Sequence, residues 1–195
     1  EYAYLNSLYH TGVKNHLDDA ICHVERMPNF NYLELLKKYK KLDELPFDYN
    51  RKYVSVLCEN NINEKSNLNN KNLLIVKGDV ETVCKKCTYA EYRGEVYPMD
   101  IQSVHHIIDE MQEDGMKVIA VAYKNINKKY IMPDDENDLI LLGYLTFFDA
   151  PKKSAQEAIE QLKKLNVPIK VLTGDSERVA VSVCRRLNLD TDNVI

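Results

Sequence analysis

The sequence predicts an α+β domain over residues 1–148, followed from residue 149 by part of a doubly wound α/β domain. Three patterns point to this. Two strand-like runs, 52–59 and 73–76, face each other across an Asn-rich stretch. Helical periodicity is concentrated in 1–25 and 100–114, apart from those runs. Beyond 148 strand and helix alternate, which indicates a parallel sheet. A chain of 195 residues can bury a sizeable core as one large domain or two small ones.

Taken in order, Tyr4, Leu5, Leu8, Val13, Leu17, Ala20, Ile21 and Val24 give a helical face over 1–25, broken near Thr11-Gly12. Tyr32 to Tyr39 reads as a short helix bearing Leu33, Leu35 and Leu36. Lysines 37, 38, 40 and 41, with Asp43 and Glu44 close behind, read as a solvated helix end. Pro46 opens an extended run, and Lys52 to Glu59 alternates as a strand. Asn60 to Asn72 has little to bury and reads as a loop or hairpin tip, with Leu73 to Val76 pairing back across it. Gly78 ends that strand. Asp79 to Lys86 reads as a helix with an acidic first turn, and Asp100 to Asp114 as a second one stopped by Gly115. Lys117 to Lys124 and Leu139 to Phe148 are strands joined by a solvated acidic loop around Pro133 to Asp138. Ala155, Ala158, Ile159, Leu162 and Leu165 then share a helical face. Pro168 to Leu172 reads as a short apolar strand, Val179 to Leu187 as another helix, and Asn193 to Ile195 as the start of a further strand.

Composition removes several functions. Hydrophobic residues make up 45% and charged residues 29%, ordinary values for a globular protein. A net charge of -4 with dispersed basic residues gives no footing for nucleic acid or an anionic membrane. The longest apolar run, Leu139 to Phe148, is about half the ~20 residues a membrane-spanning helix needs, and the opening residues are not expected to be a signal peptide. The chain by itself is expected to be soluble, with any membrane part lying outside it. Five cysteines in no regular framework fit a reducing cytoplasm, and Cys84-Lys-Lys-Cys87 reads as two thiols on one helical turn. His105-His106 point to different helix faces, and the acidic residues at 134–138 lack EF-hand spacing. No metal site is expected, and no Gly-x-Ser-x-Gly or His-Glu-x-x-His occurs.

In open α/β sheets ligands collect beyond the carboxyl ends of strands, where Asp149 and Thr173-Gly174-Asp175 fall. That makes phosphate chemistry the leading expectation. The six glycines, at 12, 78, 94, 115, 143 and 174, are too dispersed for a Gly-rich phosphate loop. A nucleotide must therefore be held by side chains. Phe47, in a polar stretch after Pro46, reads either as a ring for an adenine face or as a core side chain. Lys77 ends an apolar strand beside Gly78, placing its ammonium at a sheet edge or pocket floor.

Several segments carry a resemblance. Asp149-Ala-Pro-Lys152 resembles the Asp-Pro-Pro-Arg hinge of P-type ion-pumping ATPases, and Thr173-Gly-Asp175 their downstream Thr-Gly-Asp. Phe47-Asp-Tyr-Asn-Arg51-Lys52-Tyr-Val-Ser55 resembles the phenylalanine-led segment of the nucleotide-binding domain. Lys77-Gly78-Asp-Val-Glu81 is similar to Lys-Gly-Ala-x-Glu, and Asp114-Gly115-Met-Lys117-Val-Ile-Ala-Val-Ala to Gly-Leu-Arg-Val-x-Ala. The opening, Tyr4 to Gly12 and Leu17-Asp18-Asp-Ala-Ile21, is most similar to the bacterial magnesium-transporting branch. The motifs keep the family's order over essentially the whole chain.

The resemblance implies a nucleotide-binding domain at 1–148, an antiparallel sheet flanked by helices. It implies part of the haloacid-dehalogenase-like phosphorylation domain at 149–195. ATP would be bound with Mg2+, whose ligands lie mostly outside the chain. Lys77 and Gly78 would line the adenine pocket, Asp18 would accept from the adenine amino group, and Ile119 would supply apolar wall. Lys52 and Lys117 would lie near the phosphates. Thr173 and Gly174 would position the transferring phosphoryl group, and Asp175 would face the nucleotide. The partners would be the rest of the phosphorylation domain, the actuator and the transmembrane domains of a pump in a bacterial plasma membrane.

Departures from the family pattern matter as well. Lys117 replaces arginine and Asp79 a small residue, which together imply ATP affinity on the order of millimolar, about 4 kcal/mol. Ala150 replaces the first hinge proline. The phosphorylated aspartate of Asp-Lys-Thr-Gly-Thr and the Gly-Asp-Gly-x-Asn-Asp segment are absent, so these residues alone are not expected to turn over ATP. Alternatives are a pump for another cation such as Ca2+, a haloacid-dehalogenase-like phosphatase, and a non-catalytic nucleotide-binding module.

Overall fold

The computed structural model describes residues 1–60, 72–148 and 151–191. They divide into two compact units, Glu1–Ile101 with Ile119–Leu145, and Gln102–Val118 with Thr146–Ile195.

The first unit opens with α1 (Tyr2–Tyr9) and α2 (His16–Cys22), the latter running into a 3-10 turn, His23–Arg26. The break expected near Gly12 lies between the two helices. Asn15 starts α2 with a reciprocal cap: its side chain accepts from the Leu17 and Asp18 amides while the Asp18 carboxylate accepts from the Asn15 amide. Next come α3 (Tyr32–Lys38), β1 (Tyr39–Leu45), β2 (Tyr53–Asn60), β3 (Asn72–Asp79) and α4 (Val80–Cys84), which Asp79 caps. A hairpin follows, β4 (Cys87–Tyr92) and β5 (Glu95–Pro98), then α5 (Ile101–Glu113), β6 (Met116–Ile126) and β7 (Leu139–Phe148).

Among the described residues the strands form a seven-stranded sheet in the order β1-β2-β3-β6-β7-β4-β5. Its pairings are antiparallel at β1/β2, β2/β3, β3/β6 and β4/β5, and parallel at β4/β7. The expected α+β class holds. β2 and β3 are buried along most of their length because both faces are covered. On one face Tyr4, Leu5, Leu35 and Tyr39 pack against Val54, Val56, Ile75 and Val121. Asn6 pins α1 to that face, its amide donating to the carbonyls of Val54 at 3.1 Å and Ile75 at 3.0 Å.

Two expectations need correction here, and one element had no counterpart in the sequence reading. Lys37 and Lys38 do close the helix α3, but Lys40 and Lys41, with Asp43 and Glu44, stand in the strand β1 and not at a solvated helix end. This strand lies at the sheet edge, where charged side chains suit a strand because they discourage pairing with another chain. Cys84 and Cys87 do not share a helical turn: Cys84 ends α4 and Cys87 opens β4. Burial pushes both thiols up to about 12, so neither is a reactive thiolate. The β4–β5 hairpin was not anticipated. Its turn places Arg93 and Gly94 both at positive φ, 52° and 83°, as a two-residue hairpin loop requires.

The second unit contains α6 (Lys153–Lys164) and α7 (Glu177–Arg186), with most of α5. Gly115 stops α5 at φ +78°, and a Cβ there would lie 2.6 Å from Ser182 Oγ of α7. Arg178 pairs with Asp109 at 2.6 Å, and Arg186 donates to the Asp114 carbonyl at 2.7 Å. The strand expected at Pro168 to Leu172 is not formed, and no strand follows Phe148 among the described residues. An apolar run becomes a strand when neighbours bury it, whereas Leu172 is 96% exposed. The parallel sheet expected after 149 is therefore not seen. The strand expected at 193–195, most of the loop at 60–72, and Asp149 with Ala150 lie outside the described residues.

Candidate nucleotide site

Two site residues 59 positions apart meet in the first unit: Lys77 Nζ is 2.5 Å from Asp18 Oδ1. Local sequence fixes both. Asp18 is held by the cap of α2, and β3 carries Lys77 between the buried Val76 and the closely packed Gly78. β3 has β2 on one side and β6 on the other, so Lys77 stands in the sheet interior, not at an edge. Ser7 bridges the pair, donating to Asp18 at 3.0 Å and accepting from Lys77.

Lys77 is 6% exposed and Asp18 5%. Burial raises the Asp18 carboxyl, but the Lys77 ammonium, with bonds from Asn15 and Ser7, outweighs it and leaves the group below its ordinary range. Burial lowers the Lys77 ammonium, and Asp18 offsets part of that. His10 Nε2 lies 3.3 Å from Asp18 Oδ2, within ion-pair reach when the ring is protonated but not aligned as a hydrogen bond.

Gly78 sits opposite Tyr53 in the β2/β3 ladder. A Cβ there would meet the Lys52 carbonyl oxygen at 2.4 Å, so only glycine permits this approach. Lys52 itself takes φ 59°, uncommon for a side-chain-bearing residue, and its carbonyl accepts from the Asp79 amide at 3.0 Å. Ile119, buried, lies across from Asp79 on β6.

Phe47 rides on the turn between β1 and β2. The residue is 50% exposed, and its ring meets Tyr49 edge-on, centroids 5.5 Å apart. Asp48 closes the turn by accepting from the amides of Asn50 at 2.9 Å and Arg51 at 3.1 Å. Arg51 then reaches Glu136, the residue that sequence reasoning misplaced. Glu136 was expected in a solvated acidic loop, yet it is 1% exposed. Its partner in sequence is 85 positions away, which no local pattern signals.

In the second unit the Thr173 hydroxyl donates to Asp175 Oδ2 at 3.0 Å and accepts from the Asp175 amide at 3.1 Å. Lys117 Nζ lies 3.3 Å from Asp175 Oδ1, a partly exposed pair. A Cβ on Gly174 would meet nothing within 4 Å. The site residues thus form two sets. Asp18, Phe47, Lys52, Lys77, Gly78 and Ile119 belong to the first unit, and Lys117, Thr173, Gly174 and Asp175 to the second. Among the described residues no group of three His, Cys, Asp or Glu gathers as metal ligands.

Comparison with known proteins gives this arrangement its class. The family model for the P-type ATPase, cytoplasmic domain N, matches residues 10–154. The chain belongs to that family. It is 36% identical over 99% of its length to a magnesium-transporting ATPase, P-type 1, of Salmonella typhimurium, and 34% identical over the same share to that of Escherichia coli. It is also 27% identical, over 85% of its length, to a calcium-transporting ATPase of Listeria monocytogenes. The chain spans 21% of the two magnesium-transporting relatives and 19% of the calcium-transporting one. Among the described residues no helix is long and apolar enough to cross a membrane.

Proposed function

We propose that this chain is the ATP-binding part of a P-type pump that couples ATP hydrolysis to transport of Mg2+ across a membrane, from its cytoplasmic side. Residues 1–148 act as the nucleotide-binding domain, and 149–195 belong to the phosphorylation domain. The nucleotide delivers its γ-phosphate to an aspartate elsewhere in the pump, with the actuator and transmembrane domains as the remaining partners.

The observation that carries this reading is the buried Asp18–Lys77 pair. Both residues fall to the adenine pocket by resemblance, and they meet at a covered face of the sheet, where polar groups are retained at a cost in desolvation. In this reading Phe47 stacks on the base, Ile119 and Gly78 shape the pocket, and Lys52 and Lys117 attract the phosphates. Thr173 and Gly174 position the transferring group, Asp175 faces it, and Asp149 belongs to the hinge. Mg2+ arrives on the ATP phosphates, since the ion prefers several oxygens in octahedral array while Asp175 is already engaged by Lys117 and Thr173.

The test uses the pump that carries this segment. In membranes it is expected to hydrolyse ATP with Mg2+ as the transported ion, and Phe47→Ala is expected to raise KM for ATP. Hydrolysis that follows Ca2+ instead would move the chain to the calcium branch. Hydrolysis indifferent to Phe47 and Lys77 substitutions would overturn the site.

A further inference from the structure

We infer that Glu136 is a positioning residue for the nucleotide-contacting turn, holding residues 46–52 through Arg51 in the shape that presents Phe47 and Lys52. The inference rests on the proposed nucleotide reading of those two residues.

The Glu136 carboxylate receives four hydrogen bonds inside the first unit. Arg51 Nη1 donates to both of its oxygens, at 2.7 and 2.8 Å, the Tyr53 hydroxyl donates at 3.0 Å, and the Ser55 hydroxyl at 2.5 Å. A carboxylate that is 1% exposed persists only when paired this fully. Tyr53 and Ser55 are fixed in β2, so the carboxylate has a rigid floor. Arg51 is the partner that comes from the turn, and its guanidinium has a second engagement. Nη2 donates to the Pro46 carbonyl at 2.5 Å, while the plane rests over the Tyr53 ring with 5.1 Å to the centroid. One side chain thus ties the first residue of the turn to the strand at its far end.

What lies between needs such a tie. Phe47 touches Tyr49 of the same turn, and Tyr49 is 87% exposed, so neither ring anchors the other to the core. Lys52 holds a left-handed backbone conformation that surrounding structure must impose. A lysine at 51 would keep the charge but lose the planar fork that reaches Glu136 and Pro46 at once.

The experiment measures ATP affinity calorimetrically on the 195-residue chain, with circular dichroism as the check on folding. Glu136→Gln and Arg51→Lys are each expected to weaken ATP binding about tenfold, a part of the base-stacking contribution. Each is expected to weaken it distinctly less when Phe47→Ala is already present, the remainder being the share that acts through Lys52. That non-additivity separates positioning from general destabilisation, which would act equally in both backgrounds. If either variant left ATP affinity unchanged, or its effect multiplied with that of Phe47→Ala, the inference would be overturned while the nucleotide reading stood. If Phe47→Ala alone left ATP binding unchanged, both would fall. Should Glu136→Gln fail to fold, Arg51→Lys supplies the same comparison with the same two results.

Discussion

Replacing Lys77 by methionine removes one charge from a buried pair while keeping most of the side-chain length. Lys77 is 6% exposed and its ammonium bonds Asp18 and Ser7. Without it the Asp18 carboxylate keeps only the Ser7 hydroxyl, the Asn15 amide and the neighbouring His10. Removing one partner of a buried pair costs about 3–5 kcal/mol, a large share of the ~5–15 kcal/mol that holds a domain folded. The loss should depend on pH, and its sign follows from Asp18. In the native chain the Asp18 pKa lies below its ordinary value, so its contribution is present above that value and fades as pH falls through the lowered one. In the variant, burial acts without the ammonium, and the Asp18 pKa rises instead. The penalty is then full while the carboxyl is charged and shrinks as acid protonates it. Urea unfolding of both proteins at several pH values reads this directly. Asp18→Asn combined with Lys77→Met should recover most of the loss, since no unpaired charge remains. A Lys77→Met stability within about 0.5 kcal/mol of the native chain at neutral pH would refute the reasoning.

Phe47→Ala should weaken ATP binding by about 1–3 kcal/mol, read by calorimetry. Because the residue is half exposed, the same change should leave the melting temperature almost unmoved. Gly78→Ala drives a methyl to 2.4 Å from the Lys52 carbonyl oxygen and 2.5 Å from Tyr53 Cα, so a loss of about 1–3 kcal/mol in stability is expected in denaturant unfolding. Lys117→Arg should tighten ATP binding by supplying a two-pronged phosphate contact. It should change stability by less than about 1 kcal/mol, because the pair with Asp175 is substantially exposed.

Much of the fold was legible where its signals are local. The apolar face of α1, the alternation of β2, Gly115 at the end of α5 and the run of β7 are each specified within a few residues. β1 was not legible, because a charge-rich edge strand looks like solvated surface until its partner is known. Lys77 was singled out by its place beside Gly78, but its partner Asp18 was assigned to the ligand, since nothing in either segment announces a contact across 59 positions. Glu136 shows the limit most sharply. In sequence it is one acid among four, and only the fold brings Arg51, Tyr53 and Ser55 to it. After 148 the difficulty reverses. Pro168 to Leu172 has the composition of a buried strand, but Leu172 is left 96% exposed with no ladder around it.

The account turns on ATP being held in the first unit by Phe47 and the Asp18–Lys77 neighbourhood. An amide-resolved titration of the isotope-labelled chain with ATP tests that most directly. The account predicts saturable shifts at residues 46–55 and 77–79, with a dissociation constant on the order of millimolar, and their loss in Phe47→Ala. Shifts that spare those residues, or that persist unchanged without the Phe47 ring, would contradict it.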